Sequence, residues 1–142
     1  MTALDREAAS IAVMARYLEA VNRLDIDAMV ALTHADFEFR APRRVVQGHP
    51  GLRAAMREPR SFRVSFTPQR WFASDERVVC YGVSRFAWAE TGEAAGEEPA
   101  FARGVVRDAR LRLLQVYEDG GRALRDAGLS EADERRPGGD AY

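Results

Sequence analysis

The sequence predicts an α+β fold, in which helices come first and a curved mixed or antiparallel sheet closes with them into a cone around an apolar pocket. Two observations predict it. Residues 16–56 read as helix, short helix, single strand, proline-marked bend and helix, whereas from Phe62 onward the apolar residues recur with a period of two. At 142 residues the chain can bury one core. A concave sheet closed by helices leaves an interior of the kind that binds small molecules.

The first helix is predicted over residues 5–24, where apolar residues recur at helical spacing: Ile11, Met14, Leu18 and Val21. Either Asp25 or Asp27 caps a short second helix over residues 27–33, because a carboxylate accepts hydrogen bonds from the unpaired amides of a first turn.

The first strand is predicted over residues 35–42, where apolar and charged residues alternate up to Pro42. Pro50 then marks the first turn of a third helix, where proline is favoured, and Leu52, Ala55 and Met56 give that helix its buried side.

Four more strands are predicted downstream, at residues 62–66, 77–90, 100–106 and 111–118. A hairpin loop over 91–99 and a tight turn over 107–110 connect the last three, and a short helix over 121–129 stops at Gly128. The domain is predicted to span 1–129. The charged, glycine-containing and proline-containing residues 130–142 are predicted to form a disordered tail.

The amino-acid composition argues against several kinds of partner and catalytic chemistry. A net charge of −1 favours neither nucleic acid nor an anionic membrane surface as a partner. No apolar run is long enough for a membrane span, and residues 1–10 lack the order of a signal peptide, so a cytoplasmic protein is expected. The chain has no lysine, which excludes Schiff-base catalysis and a phosphate-loop lysine. One cysteine and two histidines show no metal-ligand spacing, so neither a metal nor a cofactor is expected.

Four segments carry a family resemblance, in their order and spacing: RYLEAVNRLD at 16–25, LTHAD at 32–36, GHPGLR at 48–53, and RGVVRD…LLQVYED within 103–119. With them the chain resembles the nuclear-transport-factor-2-like superfamily, in its SnoaL-like and ketosteroid-isomerase-like branch. The resemblance implies the cone-shaped fold. It leaves the activity open, because this fold hosts isomerases, cyclases, hydrolases, dehydratases and non-catalytic binding modules.

The resemblance also implies positions for catalytic groups. In ketosteroid isomerases a tyrosine and a protonated aspartic acid form an oxyanion hole, and a second aspartate moves the proton. Tyr17 matches the tyrosine, but Ala41 stands at the position of the base, and Ala102 (or Arg103, one residue along) at that of the oxyanion aspartic acid. SnoaL-like polyketide cyclases use an aspartate on the last strand, where this chain has Val116. We therefore expect that the protein is not a true ketosteroid isomerase.

The matching positions also imply which side chains face the pocket, since neighbours on a strand alternate between faces. Six residues are predicted to contact substrate: Phe39, Ala41, Tyr81, Ala102, Leu114 and Val116. Tyr17, Arg85 and Glu118 are the candidate catalytic residues. Each has a structural alternative: Tyr17 hydrogen-bonded to a backbone carbonyl, and Arg85 and Glu118 paired with each other.

The first functional hypothesis is a cofactor-free enzyme of bacterial specialised metabolism, which isomerises or cyclises an apolar, oxygenated, polyketide- or terpenoid-like substrate. Tyr17 would donate a hydrogen bond to a developing oxyanion, Arg85 would supply positive charge and Glu118 would move the proton. The alternative is a non-catalytic ligand-binding or dimerisation module. An open cavity with Arg85 or Glu118 unpaired would favour catalysis, and a collapsed or wholly apolar interior the module.

A homodimer is the predicted assembly. Cys80, Phe86 and Trp88 share one parity of the long strand, which is predicted to be the outward, convex face of the sheet. Trp71 fits either face.

Overall fold

Three helices form the layer that closes the sheet: α1 (Ala3–Asn22), α2 (Ile26–Ala31) and α3 (Gly48–Met56). The computed structural model describes residues 2–136. α1 begins at a capping box, in which the Thr2 and Asp5 side chains each accept a hydrogen bond from the other's backbone amide. Asp25, rather than Asp27, caps α2 by accepting a hydrogen bond from the Ala28 amide at 3.1 Å. Within the described residues no helix is long and apolar enough to cross a membrane.

Seven strands form one curved, unclosed sheet: β1 (Thr33–Ala41), β2 (Arg44–Gln47), β3 (Phe62–Ser74), β4 (Arg77–Trp88), β5 (Ala94–Arg107), β6 (Arg110–Tyr117) and β7 (Glu134–Arg135). Their order across the sheet is β2-β1-β6-β5-β4-β3-β7. β1 pairs in parallel with β6, and the other neighbours are antiparallel. A fourth helix, α4 (Gly120–Ala127), follows β6. The predicted α+β cone is confirmed.

The concave face of the sheet carries the larger core. α1 lies across it and buries one face against strand residues, which include Phe37, Trp71, Cys80 and Leu111. Gly104 lets the helix approach closely, because a Cβ there would lie 2.7 Å from the Met14 sulfur. Trp71, which the sequence left unassigned, is therefore a concave-face core residue.

The convex face carries a second core beneath α4. Phe72, Val79 and Tyr117 pack there against the apolar side of that helix, which presents Ala123, Leu124 and Ala127. Because helices cover both faces, β4 is apolar at both parities around residues 78–83, and alternation alone does not reveal which face is concave. The predicted parity of β4 is wrong. Val78 and Cys80 face α1, and Val79 and Tyr81 lie beneath α4.

Two strands are longer than predicted. β3 continues past residue 66 to Ser74, with its register shifting between Pro68 and Arg70. β5 begins at Ala94, so it takes in most of the predicted loop 91–99. Only residues 101–107 of β5 pair with β6, which leaves its first half as an exposed edge. Pro99 and the glutamates are tolerated there, because an edge strand needs neither a complete set of amide donors nor buried side chains.

The prediction of a disordered tail over residues 130–142 is wrong for residues 130–136, which the structure describes. A 3₁₀ turn at Glu131–Asp133 leads into β7 on the edge of β3, and residues 137–142 lie outside the described range. Arg135 pairs with Glu7 of α1 at 2.8 Å, both side chains being nearly buried. Charge-rich composition predicts disorder only where the charges lack partners, and these have them.

Candidate functional site

A cavity of about 370 Å³ lies between the helices and the concave face of the sheet. Its walls are mostly apolar, and its lining residues include Leu18, Val21, Met29, Phe39, Val46, Leu52, Met56, Val64, Phe66, Ala102, Leu114 and Val116. Cavities of roughly 300–1,000 Å³ with apolar walls and a few polar groups are typical of small-molecule sites. The interior is therefore open rather than collapsed.

Tyr17 brings a polar group to this apolar volume. Tyr17 is only 2% exposed, and its ring packs against that of Phe37 with the ring centroids 5.6 Å apart. No hydrogen bond of its hydroxyl occurs among residues 2–136, and within that range every fully buried polar side-chain atom has a partner. The hydroxyl must therefore reach the accessible surface of the cavity that Tyr17 lines. Burial raises the pKa of Tyr17 well above its ordinary value, so the group stays a neutral hydrogen-bond donor.

Three other polar side chains line the cavity: Ser84, Arg44 and Arg60. The Ser84 hydroxyl has no hydrogen-bond partner in the described part of the chain. Arg44 is held by Glu58 through two hydrogen bonds, at 2.9 and 2.6 Å. The described lining residues include no aspartate, glutamate or histidine, so the cavity offers hydrogen-bond donors but no side chain that titrates as a base near neutral pH.

Four of the six predicted substrate-contacting residues line the cavity: Phe39, Ala102, Leu114 and Val116. Their part in binding stays a prediction. Ala41 ends β1 and is not among the lining residues. Tyr81 lies on the opposite face, between the rings of Phe72 and Phe101 at centroid distances of 4.8 and 4.9 Å, so its predicted inward orientation is wrong.

The two charged catalytic candidates lie outside the cavity. Arg85 points to the other face of β4, where it pairs with Glu97 at 3.1 Å and donates to the Thr67 hydroxyl at 2.8 Å. Glu118 follows the last residue of β6, is exposed, and has no partner within residues 2–136. The predicted inward position of Arg85 is wrong, and the alternative of an Arg85–Glu118 ion pair is wrong as well. Tyr17 is the one member of the predicted trio that reaches the cavity.

The three residues that predicted a dimer through the convex face lie elsewhere. Cys80 is fully buried beneath α1, and burial raises the pKa of its thiol. Phe86 and Trp88 lie on the concave side with Phe62, whose ring is 4.4 Å from that of Trp88. Dimerisation stays a prediction, but these residues no longer argue for the convex face.

One wall of the cavity was not predicted from the sequence. It is formed by β3, β4 and the segment after α3. Val64, Phe66, Ser84 and Arg60 all line the cavity. The alternation of Val64 and Phe66 was visible in the sequence. Ser84 was hidden by the wrong parity of β4, and nothing in the sequence marks Arg60.

Comparison with solved structures finds proteins of similar fold and low sequence identity. An NTF2-like protein of unknown function from Burkholderia pseudomallei is 18% identical, with a TM-score of 0.68 over 82% of this chain and 95% of that one. A candidate polyketide cyclase from Xanthomonas campestris is 21% identical, with a TM-score of 0.68 over 86% and 98%. TerC, co-crystallised with polyporic acid, is 18% identical, with a TM-score of 0.67 over 84% and 97%. These likenesses show the fold alone.

A search of curated proteins finds none that matches this sequence. The model of the SnoaL-like domain matches residues 14–110, which is more than half of the chain and includes the C-terminal part of α1, the first five strands and most of the cavity wall. The chain therefore belongs to the SnoaL-like domain family, and its fold is the one seen in NTF2-like proteins, as the resemblance implied.

Proposed function

We propose that this domain binds a small, largely apolar organic molecule in the cavity and recognises a carbonyl or phenolic oxygen of that molecule through Tyr17. The observation that carries the proposal is the unpartnered hydroxyl of Tyr17 inside an apolar cavity. A hydrogen bond from this hydroxyl to a ligand oxygen would contribute about 0.5–1.5 kcal/mol to binding. The structure of TerC with polyporic acid supports small-molecule binding by this fold.

The cavity is open and Glu118 has no partner within residues 2–136, which would favour catalysis only if Glu118 faced the cavity. Because it does not, the geometry favours binding without catalysis. The described cavity walls carry no aspartate, glutamate or histidine to move a proton, and Arg85 and Glu118 lie outside them. Specialised metabolism, a cytoplasmic location and a homodimer stay predictions.

Catalysis by oxyanion stabilisation is the second candidate, and the same hydroxyl favours it. Tyr17 would donate to an enolate oxygen during an isomerisation or cyclisation, and the substrate would supply its own base. One oxyanion donor is worth about 10²–10³-fold in rate. This candidate predicts turnover that is lost in Tyr17→Phe.

The proposal is tested with prodan, a neutral fluorescent naphthalene ketone. We expect saturable one-to-one binding to the wild-type protein, measured by fluorescence titration. Val116→Phe should abolish that binding, because Val116 lines the cavity and is half-buried beside open space.

Leu113→Phe is the matched control, since Leu113 lies on the opposite face of the same strand. It should bind prodan as the wild type does. Absence of saturable binding to the wild type would contradict the proposal, and so would equal binding by Val116→Phe.

A further inference from the structure

A second concave region adjoins the cavity. It is a groove of about 660 Å³ at the end of the sheet, and its apolar wall includes Leu24, Phe62, Val64 and Phe86. Leu24, Phe62 and Val64 are 45%, 37% and 41% exposed, which is unusual for side chains of this size. Clustered exposed apolar side chains rimmed by polar residues mark binding surfaces.

The groove and the cavity lie side by side and share part of their lining. Five residues line both: Val21, Met56, Arg60, Val64 and Phe66. The rings of Phe62 and Phe86 line the groove, and Trp88 packs against Phe62.

Arg60 is the cation at this junction. One of its Nη nitrogens donates to the Ala55 carbonyl at 3.0 Å and approaches the Met56 sulfur at 3.5 Å. These contacts anchor the guanidinium at the end of α3. No carboxylate lies within ion-pair distance of it among residues 2–136, so its remaining N–H groups have no anionic partner there.

The charges around the junction favour an anionic ligand. Arg44 stands with Arg60 on the positive side, and Glu58 is the acidic lining residue of the groove. Arg63 and Arg85 also line the groove, but from strand positions that face the other side of the sheet. Both oxygens of Glu58 are already taken by Arg44, and the pKa of Glu58 is lowered chiefly by that hydrogen bonding, with Arg60 contributing. The local excess is positive, which favours an anion over a cation at the junction.

We propose that the cavity and the groove form one site for an elongated, largely aromatic molecule that carries a carboxylate or another acidic group, and that Arg60 binds this group at the junction. The inference rests on the proposed function, because it assumes that the cavity holds a small molecule. An arginine presents a planar array of donors to such an anion, whereas the apolar walls contact the rest of the molecule.

Two fluorescent probes test this, 8-anilinonaphthalene-1-sulfonate and N-phenyl-1-naphthylamine, which share a ring system and differ in the sulfonate. We expect the wild type to bind both, and Arg60→Met to weaken binding of the sulfonate by at least about tenfold, as for a charge-assisted hydrogen bond. Affinity for the neutral probe should not change. Arg60→Lys should restore most of the lost affinity, and Arg57→Met, an exposed arginine outside both regions, should behave as the wild type.

Failure of the Arg60 inference and failure of the proposed function give different results. If both probes bind the wild type and are lost in Val116→Phe, but Arg60→Met weakens them equally or not at all, the proposed function stands and Arg60 is not an anion site. If neither probe binds, or Val116→Phe binds both normally, the proposed function fails and the inference with it.

A further variant tests the groove itself. Phe62→Ser should weaken binding of both probes. If light scattering instead shows a dimer that Phe62→Ser dissociates, with probe affinities unchanged, the groove is covered by a second copy and the proposal is wrong.

Discussion

Two tyrosines, one on each face of the sheet, occupy opposite chemical situations. Tyr117, on the convex face, accepts a hydrogen bond from Arg103 at 3.0 Å and donates one to Asp126 of α4 at 2.8 Å. Tyr17, on the concave face, is equally buried, and its hydroxyl has no partner within residues 2–136. Both residues pack rings into a core, but only Tyr117 uses its hydroxyl to hold the fold together.

Whether a buried hydroxyl has a partner within the fold distinguishes polar groups that stabilise the protein from those available to a ligand. Folding satisfies buried donors and acceptors almost everywhere, because leaving one unpaired costs more than a hydrogen bond contributes. A buried hydroxyl that the fold leaves open to a cavity therefore points to an external partner. By this criterion the convex face stabilises the protein, and the concave face is available for binding.

The largest expected effect comes from removing the satisfied hydroxyl. Tyr117→Phe should lower the free energy of unfolding by about 1–3 kcal/mol, since Arg103 and Asp126 each lose a hydrogen bond in a partly buried place and keep only their contacts with Gln115 and Arg122. Tyr17→Phe should change it by less than about 0.5 kcal/mol, because no hydrogen bond is lost. Urea denaturation of the two variants measures both. Equal losses of unfolding free energy in the two variants would contradict the proposed difference between the two faces.

The stability of the protein at alkaline pH should depend on two buried groups of the concave side, Tyr17 and Cys80. Burial raises the pKa of Tyr17 above its ordinary value of 10.0 and that of Cys80 above 9.0, so the folded state keeps protons that the unfolded chain loses. The unfolded state then binds fewer protons than the folded state, and stability must fall as pH rises through 9 and 10. Each group contributes a slope of up to about 1.4 kcal/mol per pH unit above its unfolded value.

The variants Cys80→Ala and Tyr17→Phe identify the sources of this slope. Unfolding free energies at several pH values between 7 and 11 should fall less steeply above pH 9 in Cys80→Ala, and above pH 10 in Tyr17→Phe. A slope unchanged by either substitution would mean that these groups are not shielded from water.

The smallest expected effect lies in the turn between β5 and β6, two strands that contribute to both faces. Asp108 and Ala109 have φ angles of 53° and 61°, the left-handed conformation of a type I′ turn. An alanine there is strained, so Ala109→Gly should stabilise the protein by about 0.5–1 kcal/mol, with probe binding unchanged. A destabilised variant in thermal unfolding would show that the strain is relieved elsewhere.

The sequence predicted the fold well because the fold depends on patterns that one chain displays. Helical spacing from Ile11 to Val21, the capping aspartate and the turn over 107–110 all lie where they were expected. The site was predicted less well. Which face of β4 is concave depends on α4, which covers the convex side and makes both parities apolar. Arg85 and Tyr81 were assigned inward for that reason.

Two other features of the site depend on contacts that no local pattern records. Arg60 reaches the cavity mouth only because the chain after α3 returns beside β3. The ordered residues 131–135 depend on pairing with β3 and on the Glu7–Arg135 ion pair, whose partners are distant in the sequence. Tyr17 lines the cavity as expected, because helical spacing places it on the buried face of α1 and the family resemblance marks its position, but its catalytic role stays a prediction.

The proposed function depends on the Tyr17 hydroxyl, which donates a hydrogen bond to an oxygen of the bound molecule. Prodan tests it most directly, because its emission moves to longer wavelength when its carbonyl accepts a hydrogen bond in the site. We expect prodan bound to the wild type to emit at longer wavelength than prodan bound to Tyr17→Phe. The variant should bind prodan several-fold more weakly, as expected for losing one hydrogen bond of about 1 kcal/mol. Identical emission and identical affinity in the two proteins would contradict it.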